Sequence, residues 1–169
     1  MPAPVSNFWN FSLQTYAKPK IAELCLELQE GFGADVNLVL FMLWAGARGR
    51  RLEPQEIEKL AEFVKSWREQ VVVPLRRARR TLKTPPREWP VQETESLRQR
   101  VKADELEAER LQQNAMSAFL AVDQAGRSDS PFAAAKSNLN NYASFLRVTF
   151  SEKHISDLAN TLSPTSTSS

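Results

Sequence analysis

The longest apolar run of the chain lies in its first third and predicts a buried central helix. Every residue from Leu38 to Ala45 is apolar, so a helix here has no polar face, and such helices are normally buried in a domain. Asp35 is suited to cap its N-terminus, and Gly49 is suited to end it. The run is shorter than the roughly 20 residues that a membrane-spanning helix needs. We therefore predict a core helix at about 35–49 and no membrane span.

Two shorter helices are predicted before this central helix. The first covers FWNFSLQTY at 8–16 and offers four side chains for packing: Phe8, Trp9, Leu13 and Tyr16. The second starts at Lys18-Pro19, where proline near the first helical position is tolerated, and ends at Gly31 and Gly33. Its apolar residues follow the i, i+3, i+4, i+7 spacing of a helix face, and they are Ile21, Leu24, Cys25 and Leu28.

A long amphipathic pattern predicts a fourth helix from Glu53-Pro54 to Leu82. Its apolar positions hold one phase, namely Ile57, Leu60, Ala61, Val64, Trp67, Val71, Leu75, Ala78 and Leu82. Pro74 lies within this phase, and proline kinks a helix interior, so we expect a kink there. The alternative is a break of the helix at the run Val71-Val72-Val73 before it. The same phase points four cationic side chains away from the apolar side: Arg76, Arg79, Arg80 and Lys83.

The second half of the chain begins with a proline-rich linker at 84–90, which cannot be helical. A helix at about 91–122 follows, with a narrow apolar stripe that suggests hairpin packing against 54–82; its members are Leu97, Val101, Ala108, Leu111, Ala115, Phe119 and Val122. A loop at 126–130 and two further helices complete the pattern.

No segment shows the sustained alternation of apolar and polar residues that is typical of strands. The sequence therefore predicts an all-α, single-domain helical bundle of six or seven helices. The domain covers 1–162, with an N-terminal part at 6–83, the linker at 84–90 and C-terminal helices at 91–162. Residues 163–169 are predicted to be a disordered tail.

The composition argues against some kinds of site but identifies none. The 169 residues have a net charge of +2 and contain one cysteine and one histidine, so a Cys/His metal site and an internal disulfide are not expected. Cys25 lies on an apolar stripe, where thiols are usually inert, although the fold could still pair it with His154. The N-terminus lacks a secretory signal. We expect a cytoplasmic protein without a cofactor or metal.

Sequence motifs of catalysis are not present. There is no phosphate-binding loop, no GxGxxG after a strand and no GxSxG, and carboxylate pairs such as Glu105/Glu109 occur on any charged helix. An enzyme would have to assemble its site from scattered carboxylates and Asn37, which requires a deep polar pocket. We therefore favour a non-enzymatic protein.

The strongest functional feature is a basic patch. Residues 65–89 hold eight Lys or Arg against two Glu, and arginine clusters bind acidic surfaces and phosphates. The predicted patch is Arg76, Arg77, Arg79, Arg80, Lys83 and Arg87, extended by Arg48, Arg50 and Arg51 if the fold brings the two segments together. We predict a binding or adaptor protein that engages an acidic protein partner. Nucleic-acid binding through the same patch is the alternative, a merely solvated basic face is the competing structural interpretation, and homodimerisation remains open.

Two polar residues interrupt predicted apolar faces. Asp104 falls in the stripe of the long helix, either at an exposed end of the stripe or paired with an arginine from 76–80 or 48–51, since an unpaired buried carboxylate is costly. Asn37 lies in the first turn of the central helix, where it either caps the helix, forms a core hydrogen bond or contacts a ligand.

Three segments resemble a family of small bacterial proteins of unknown function. They are FWNFSLQTY at 8–16, CLELQEGFGADVNLVLF at 25–41, and Trp44, and the resemblance extends over about 7–82. Family members carry Pro-Gly at the start of the second helix, where this chain has Pro19-Lys20. The resemblance implies a compact, helical, cytoplasmic bacterial protein and brings no activity, cofactor or catalytic residue.

Overall fold

The computed structural model describes residues 7–162 and shows seven helices within them. These are α1 (Asn7–Tyr16), α2 (Ile21–Phe32), α3 (Val36–Ala47), α4 (54–82), α5 (Val91–Phe119), α6 (Pro131–Phe145) and α7 (Glu152–Ala159). Helix α4 consists of two α-helical segments, Pro54–Trp67 and Val73–Leu82, which a π-helical turn at Arg68–Val72 joins. The all-α helical bundle is thus confirmed. The predicted tail at 163–169 lies outside the described residues.

Helix α3 is the buried centre of the bundle, as predicted. Its N-cap, Asp35, accepts a hydrogen bond from the backbone N–H of Asn37 at 2.9 Å, and residues 37–43 are all buried. Gly49 follows the helix with a φ of 67°, a left-handed conformation in which glycine is favoured. A continuous apolar core surrounds this helix.

Helices α3 and α6 pack unusually close together. A Cβ atom added to Gly46 would lie 2.6 Å from the Cβ of Ala135, so only glycine fits at this crossing. Next to it, the buried Asn138 side chain accepts a hydrogen bond from the N–H of Leu52 at 2.7 Å and donates one to the carbonyl of Arg50 at 2.9 Å. This amide fixes the segment after α3 to α6.

A short strand pair closes the end of the bundle near α3. Strand β1 (Arg50–Arg51) pairs in antiparallel register with β2 (Arg127–Ser128). The sequence predicts a loop at 126–130, because a strand of two residues is too short to show alternation.

The second half of α4 packs along α5 as the predicted hairpin, and no helix covers 84–90. The predicted apolar stripe is only partly buried, however. Ala108 and Val122 are buried as predicted, whereas Leu97, Leu111 and Phe119 are exposed. Helix α5 also buries Thr94, Glu105, Gln112, Gln113 and Met116. Polar side chains are buried on this face because α3 and α4 supply their hydrogen-bond partners.

The predicted phase of α4 fails after Trp67. Its buried side moves one residue along the chain, so that Val72 rather than Val71 is buried and Arg79 rather than Ala78 faces the interior. The π-helical turn explains the shift, since the N–H of Val73 bonds to the carbonyl of Arg68 five residues earlier, and a π turn takes up an additional residue.

The start of the bundle departs from the predicted pattern at two places. Ser12 and Thr15 of α1 are buried, while Leu13 and Tyr16 are exposed. Lys20 precedes α2 as its N-cap with a φ of 71°. Left-handed backbone is costly for a residue with a Cβ atom, so glycine is favoured over lysine at this position.

Candidate functional site

A buried polar network lies where α3, α4, α5 and α6 meet. Asp35 at the start of α3 accepts a hydrogen bond from the amide of Gln112 at 2.8 Å, and its backbone N–H donates to the hydroxyl of Tyr142 at 2.9 Å. Arg68 Nε lies 3.6 Å from the Asp35 carboxylate. Burial raises the pKa of Tyr142, so this hydroxyl is neutral. The network fixes the N-terminus of α3 against three other helices.

Within 7–162, four buried side-chain oxygens have no hydrogen-bond partner: Ser12 Oγ, Gln112 Oε1, Gln113 Oε1 and Asn114 Oδ1. The amide nitrogen of Gln113 donates to Asn37 Oδ1 at 2.8 Å, and Gln113 Oε1 remains unpartnered. The hydroxyl of Ser12 on α1 is unpartnered as well. Both side chains are at least 97% buried, with exposed fractions of 2% and 3%. Unpaired buried polar atoms are rare in native structures, so these two mark a place where a ligand can supply hydrogen bonds.

Ion pairs between α4 and α5 extend the polar region. Arg76 Nε donates to Glu105 at 3.1 Å and its Nη2 donates to Glu109 at 3.0 Å. Arg79 also donates to Glu105, and this contact raises the pKa of the Arg79 guanidinium. The buried carboxylate of Glu105 thus forms ion pairs with both arginines.

Glu109 differs from Glu105 in its electrostatic surroundings. Burial and the neighbouring carboxylate of Glu105 raise the pKa of Glu109, and the guanidinium of Arg76 only partly offsets this effect. A carboxyl group whose charged form is disfavoured is typical of ligand-binding and catalytic sites.

Ser12, Gln113 and the residues that form the ion pairs between α4 and α5 line a concavity between α1, α2, α3, α4 and α5, which we call the cleft. Its volume is about 570 Å³, within the range of roughly 300 to 1,000 Å³ of small-molecule sites. Its buried floor carries Ser12, Asn37, Glu105 and Gln113, and its rim carries Arg80, Lys102 and Leu106. The cleft thus combines hydrogen-bonding groups below with cationic and apolar groups above.

The six residues of the predicted basic patch at 76–87 separate into three groups. Arg76 and Arg79 turn inward to Glu105, and Arg80 pairs with the exposed Glu30 at 2.8 Å. Within 7–162, the remaining three have no acidic partner and are exposed: Arg77, Lys83 and Arg87. We call these three residues, together with the exposed Trp89 two residues after Arg87, the basic surface.

The other predicted arginines contact a different part of the chain. Arg48 pairs with Asp123 at 2.6 Å, and Arg50 donates to the carbonyl of Ala125 at 2.6 Å. Arg51 lies in β1 and is exposed. The structure thus ties Arg48 and Arg50 to the loop that precedes α6, whereas Arg76 and Arg79 pair with α5.

The remaining candidates have structural surroundings. Asp104 is exposed, and the buried carboxylate is its neighbour Glu105. His154 lies 2.7 Å from Glu27 and 2.9 Å from Ser151. Burial raises the pKa of the Cys25 thiol to about 12, so this thiol is not activated. Within the described residues, no group of His, Cys, Asp and Glu is arranged to hold a metal ion.

Sequence reasoning missed Ser12, Glu105, Gln112 and Gln113. A signal was present on α5, where Glu105, Gln112 and Met116 recur at helical spacing. The apolar stripe of Leu97 and Leu111 masked this signal, because apolar residues are by default assigned to the core. The polar groups on the floor of the cleft can bind and orient a molecule.

Comparison with known proteins identifies a family but no activity. Residues 7–116 match the model of a family described as "Protein of unknown function (DUF2390)". The match covers about two thirds of the chain and includes every segment of the cleft. No curated protein and no solved structure matched the chain. Among residues 7–162, no helix is long and apolar enough to cross a membrane.

Proposed function

We propose that this chain, which belongs to the DUF2390 family of proteins of unknown function, is a non-enzymatic binding or adaptor protein. It engages an acidic protein partner through the basic surface, which lies on the end of α4 and on the linker that follows. As the resemblance to bacterial proteins implied, the proposal places this activity in a bacterial cytoplasm.

The observation that supports the proposal is the exposure of Trp89 beside unpaired cations. Trp89 is 61% exposed, and Arg87 is two residues away. Tryptophan and arginine are the side chains most enriched at the energetic centres of protein interfaces. An exposed tryptophan close to an exposed arginine therefore favours an acidic protein surface that also offers apolar contact.

The cations near the end of α4 differ in their pairing. Arg76, Arg79 and Arg80 form ion pairs with carboxylates of the chain. Arg77 and Lys83 do not, and both are exposed. Charge complementarity with an acidic partner steers association and increases its specificity.

Nucleic-acid binding through the same residues is the weaker alternative on physical grounds. Each phosphate that a cation neutralises adds about −0.9 to the slope of log K against log salt for duplex DNA. The three unpaired cations of the basic surface would therefore give a slope of only about −3, which corresponds to weak and non-specific binding.

The test compares captured proteins between two charge-reversed variants. One variant carries Arg77→Glu, Lys83→Glu and Arg87→Glu; the control carries Lys59→Glu, Arg100→Glu and Lys153→Glu, which reverse three exposed cations elsewhere. We expect the wild type and the control to capture an acidic protein from a bacterial lysate. The first variant should not capture this protein. The purified partner should then bind directly, with an affinity that falls as salt rises, and Trp89→Ala should weaken it at least about tenfold.

Three outcomes would overturn the proposal. The first is an identical set of captured proteins for all variants, and the second is equal loss in both triple variants. The third is fluorescence anisotropy that shows micromolar binding of labelled RNA or duplex DNA, abolished only by the basic-surface variant. Sedimentation of the free protein establishes whether a second copy of the chain, rather than another protein, is the partner.

A further inference from the structure

The cleft carries an inference that does not depend on the basic surface, since Arg77, Lys83, Arg87 and Trp89 do not line it. We propose that the cleft binds a small amphipathic organic acid. Such a molecule has a hydrogen-bonding head, an apolar body and an acidic group, and the cleft offers complementary chemistry to each of these parts.

The floor of the cleft is complementary to a hydrogen-bonding head. Gln113 Oε1 accepts hydrogen bonds, the hydroxyl of Ser12 both donates and accepts them, and neither has a partner within the described chain. Both residues are almost completely buried, so leaving their capacity unused costs free energy. An N–H or O–H group of a ligand between α1 and α5 supplies the missing bonds.

The walls of the cleft are complementary to an apolar body. Trp9 and Leu40 are buried in its lining, while Leu13, Leu26 and Leu106 are exposed around it. Isolated exposed leucines need no explanation, but three of them from α1, α2 and α5 surround one concavity. Apolar lining with a few converging polar groups is the usual composition of small-molecule sites.

The rim of the cleft is complementary to an acidic group. Four cations line the cleft against two carboxylates, which leaves an excess of positive charge. Lys102 is exposed and has no acidic partner within 7–162. Arg80 pairs with Glu30, but both side chains are exposed, and such surface pairs are worth little. A ligand anion can therefore recruit both cations at small cost.

The test uses two fluorescent probes that differ in charge. 1-Anilinonaphthalene-8-sulfonate carries an N–H donor, an aromatic body and a sulfonate, whereas N-phenyl-1-naphthylamine lacks only the sulfonate. We expect the chain to bind one equivalent of the sulfonate probe. Binding is measured by probe emission and by quenching of tryptophan fluorescence. The neutral probe should bind about tenfold more weakly, because it makes no charge contact at the rim.

Matched variants on α5 locate the probe. Leu106→Glu places a negative charge at the rim and should weaken sulfonate binding at least about tenfold. Leu111→Glu changes a residue of similar exposure, 44% against 50%, that does not line the cleft, and it should have no effect. Lys102→Glu should remove the preference for the charged probe, whereas Arg100→Glu, on the same helix outside the cleft, should not.

Ser12→Ala reports on the floor. The substitution removes one hydroxyl and should weaken both probes about fivefold, the effect of one hydrogen bond. Circular dichroism verifies that each variant folds. The basic-surface variant should bind both probes as the wild type does, so that failure of this proposal and failure of the proposed function can be distinguished.

The proposal is overturned if the folded wild type binds neither probe, or if Leu106→Glu and Leu111→Glu weaken binding equally, which would indicate general adsorption to apolar surface. Equal affinity for the charged and the neutral probe would overturn the assignment of the rim to an acidic group. Unchanged binding by Ser12→Ala would overturn the assignment of the floor.

Discussion

At the scale of single residues, Glu105 and Glu109 show how far surroundings separate two identical side chains. Glu105 is buried and paired with both Arg76 and Arg79, whereas Glu109 shares Arg76 and lies close to a second carboxylate. We predict that Glu105→Gln lowers the free energy of unfolding by about 3 kcal/mol, because it leaves the partly buried Arg79 without a counter-charge and removes one of the two carboxylates that pair with Arg76. Glu109→Gln should change it by less than about 1 kcal/mol, as measured by urea unfolding at pH 7.

The pH dependence of Glu109 provides the control for this comparison. Its pKa in the folded state is raised above 4.5, so between 4.5 and the raised value the folded chain binds more protons than the unfolded chain. Stability from this group is therefore present at low pH and is lost as the pH rises through that window. As the pH rises above 4.5, the wild type should lose stability relative to Glu109→Gln, and an identical pH profile for both proteins would contradict the assignment.

Individual polar residues were the least predictable part of the site. Asp104 and Glu105 are adjacent in the sequence, and which of them is buried depends on a rotation of about 100° around the helix. Asn37 was predicted to cap the helix, form a core hydrogen bond or contact a ligand, and it accepts a hydrogen bond from Gln113. The partner of such a group lies tens of residues away, so local pattern contains no information about it.

At the scale of elements, the crossing of α3 and α6 depends on one glycine. We predict that Gly46→Ala destabilises the protein by about 2 kcal/mol, because the added methyl group overlaps Ala135 and forces two packed helices apart. Gly31→Ala is the matched control on α2, where an added Cβ meets nothing within 4 Å. It should leave stability unchanged or raise it by up to about 1 kcal/mol. Thermal unfolding measures both, and equal effects would show that helix propensity rather than close packing governs Gly46.

The helices themselves were largely predictable from apolar periodicity, but the faces of α4 and α5 were not. For α3 no face had to be chosen, because its run is apolar on every side. In α4 the π turn shifted the phase of the buried side. In α5 the buried face carries Glu105, Gln112 and Gln113 instead of the leucines that were predicted there. Periodicity identifies a helix reliably, whereas its orientation depends on what its neighbours offer.

At the scale of the whole molecule, the family match and the core do not have the same boundaries. The match ends at residue 116 within α5, yet the central helix packs closely on α6, where Asn138 also anchors the segment around Leu52. We predict that a fragment of residues 1–120 does not unfold cooperatively, since loss of α6 and α7 exposes the apolar side of α3. A calorimetric transition as sharp as that of the full chain would contradict this.

The π turn of α4 has a consequence for comparing chains of different length. It takes up one residue more than a regular turn while leaving the ion pairs of Arg76 and Arg79 in place. A relative that lacks one codon within 68–72 would close this turn into ordinary α-helix and still direct the same two arginines to α5. An alignment gap at this point therefore signals no change in the cleft, whereas a gap of one residue after Val73 would turn both arginines away from their carboxylates.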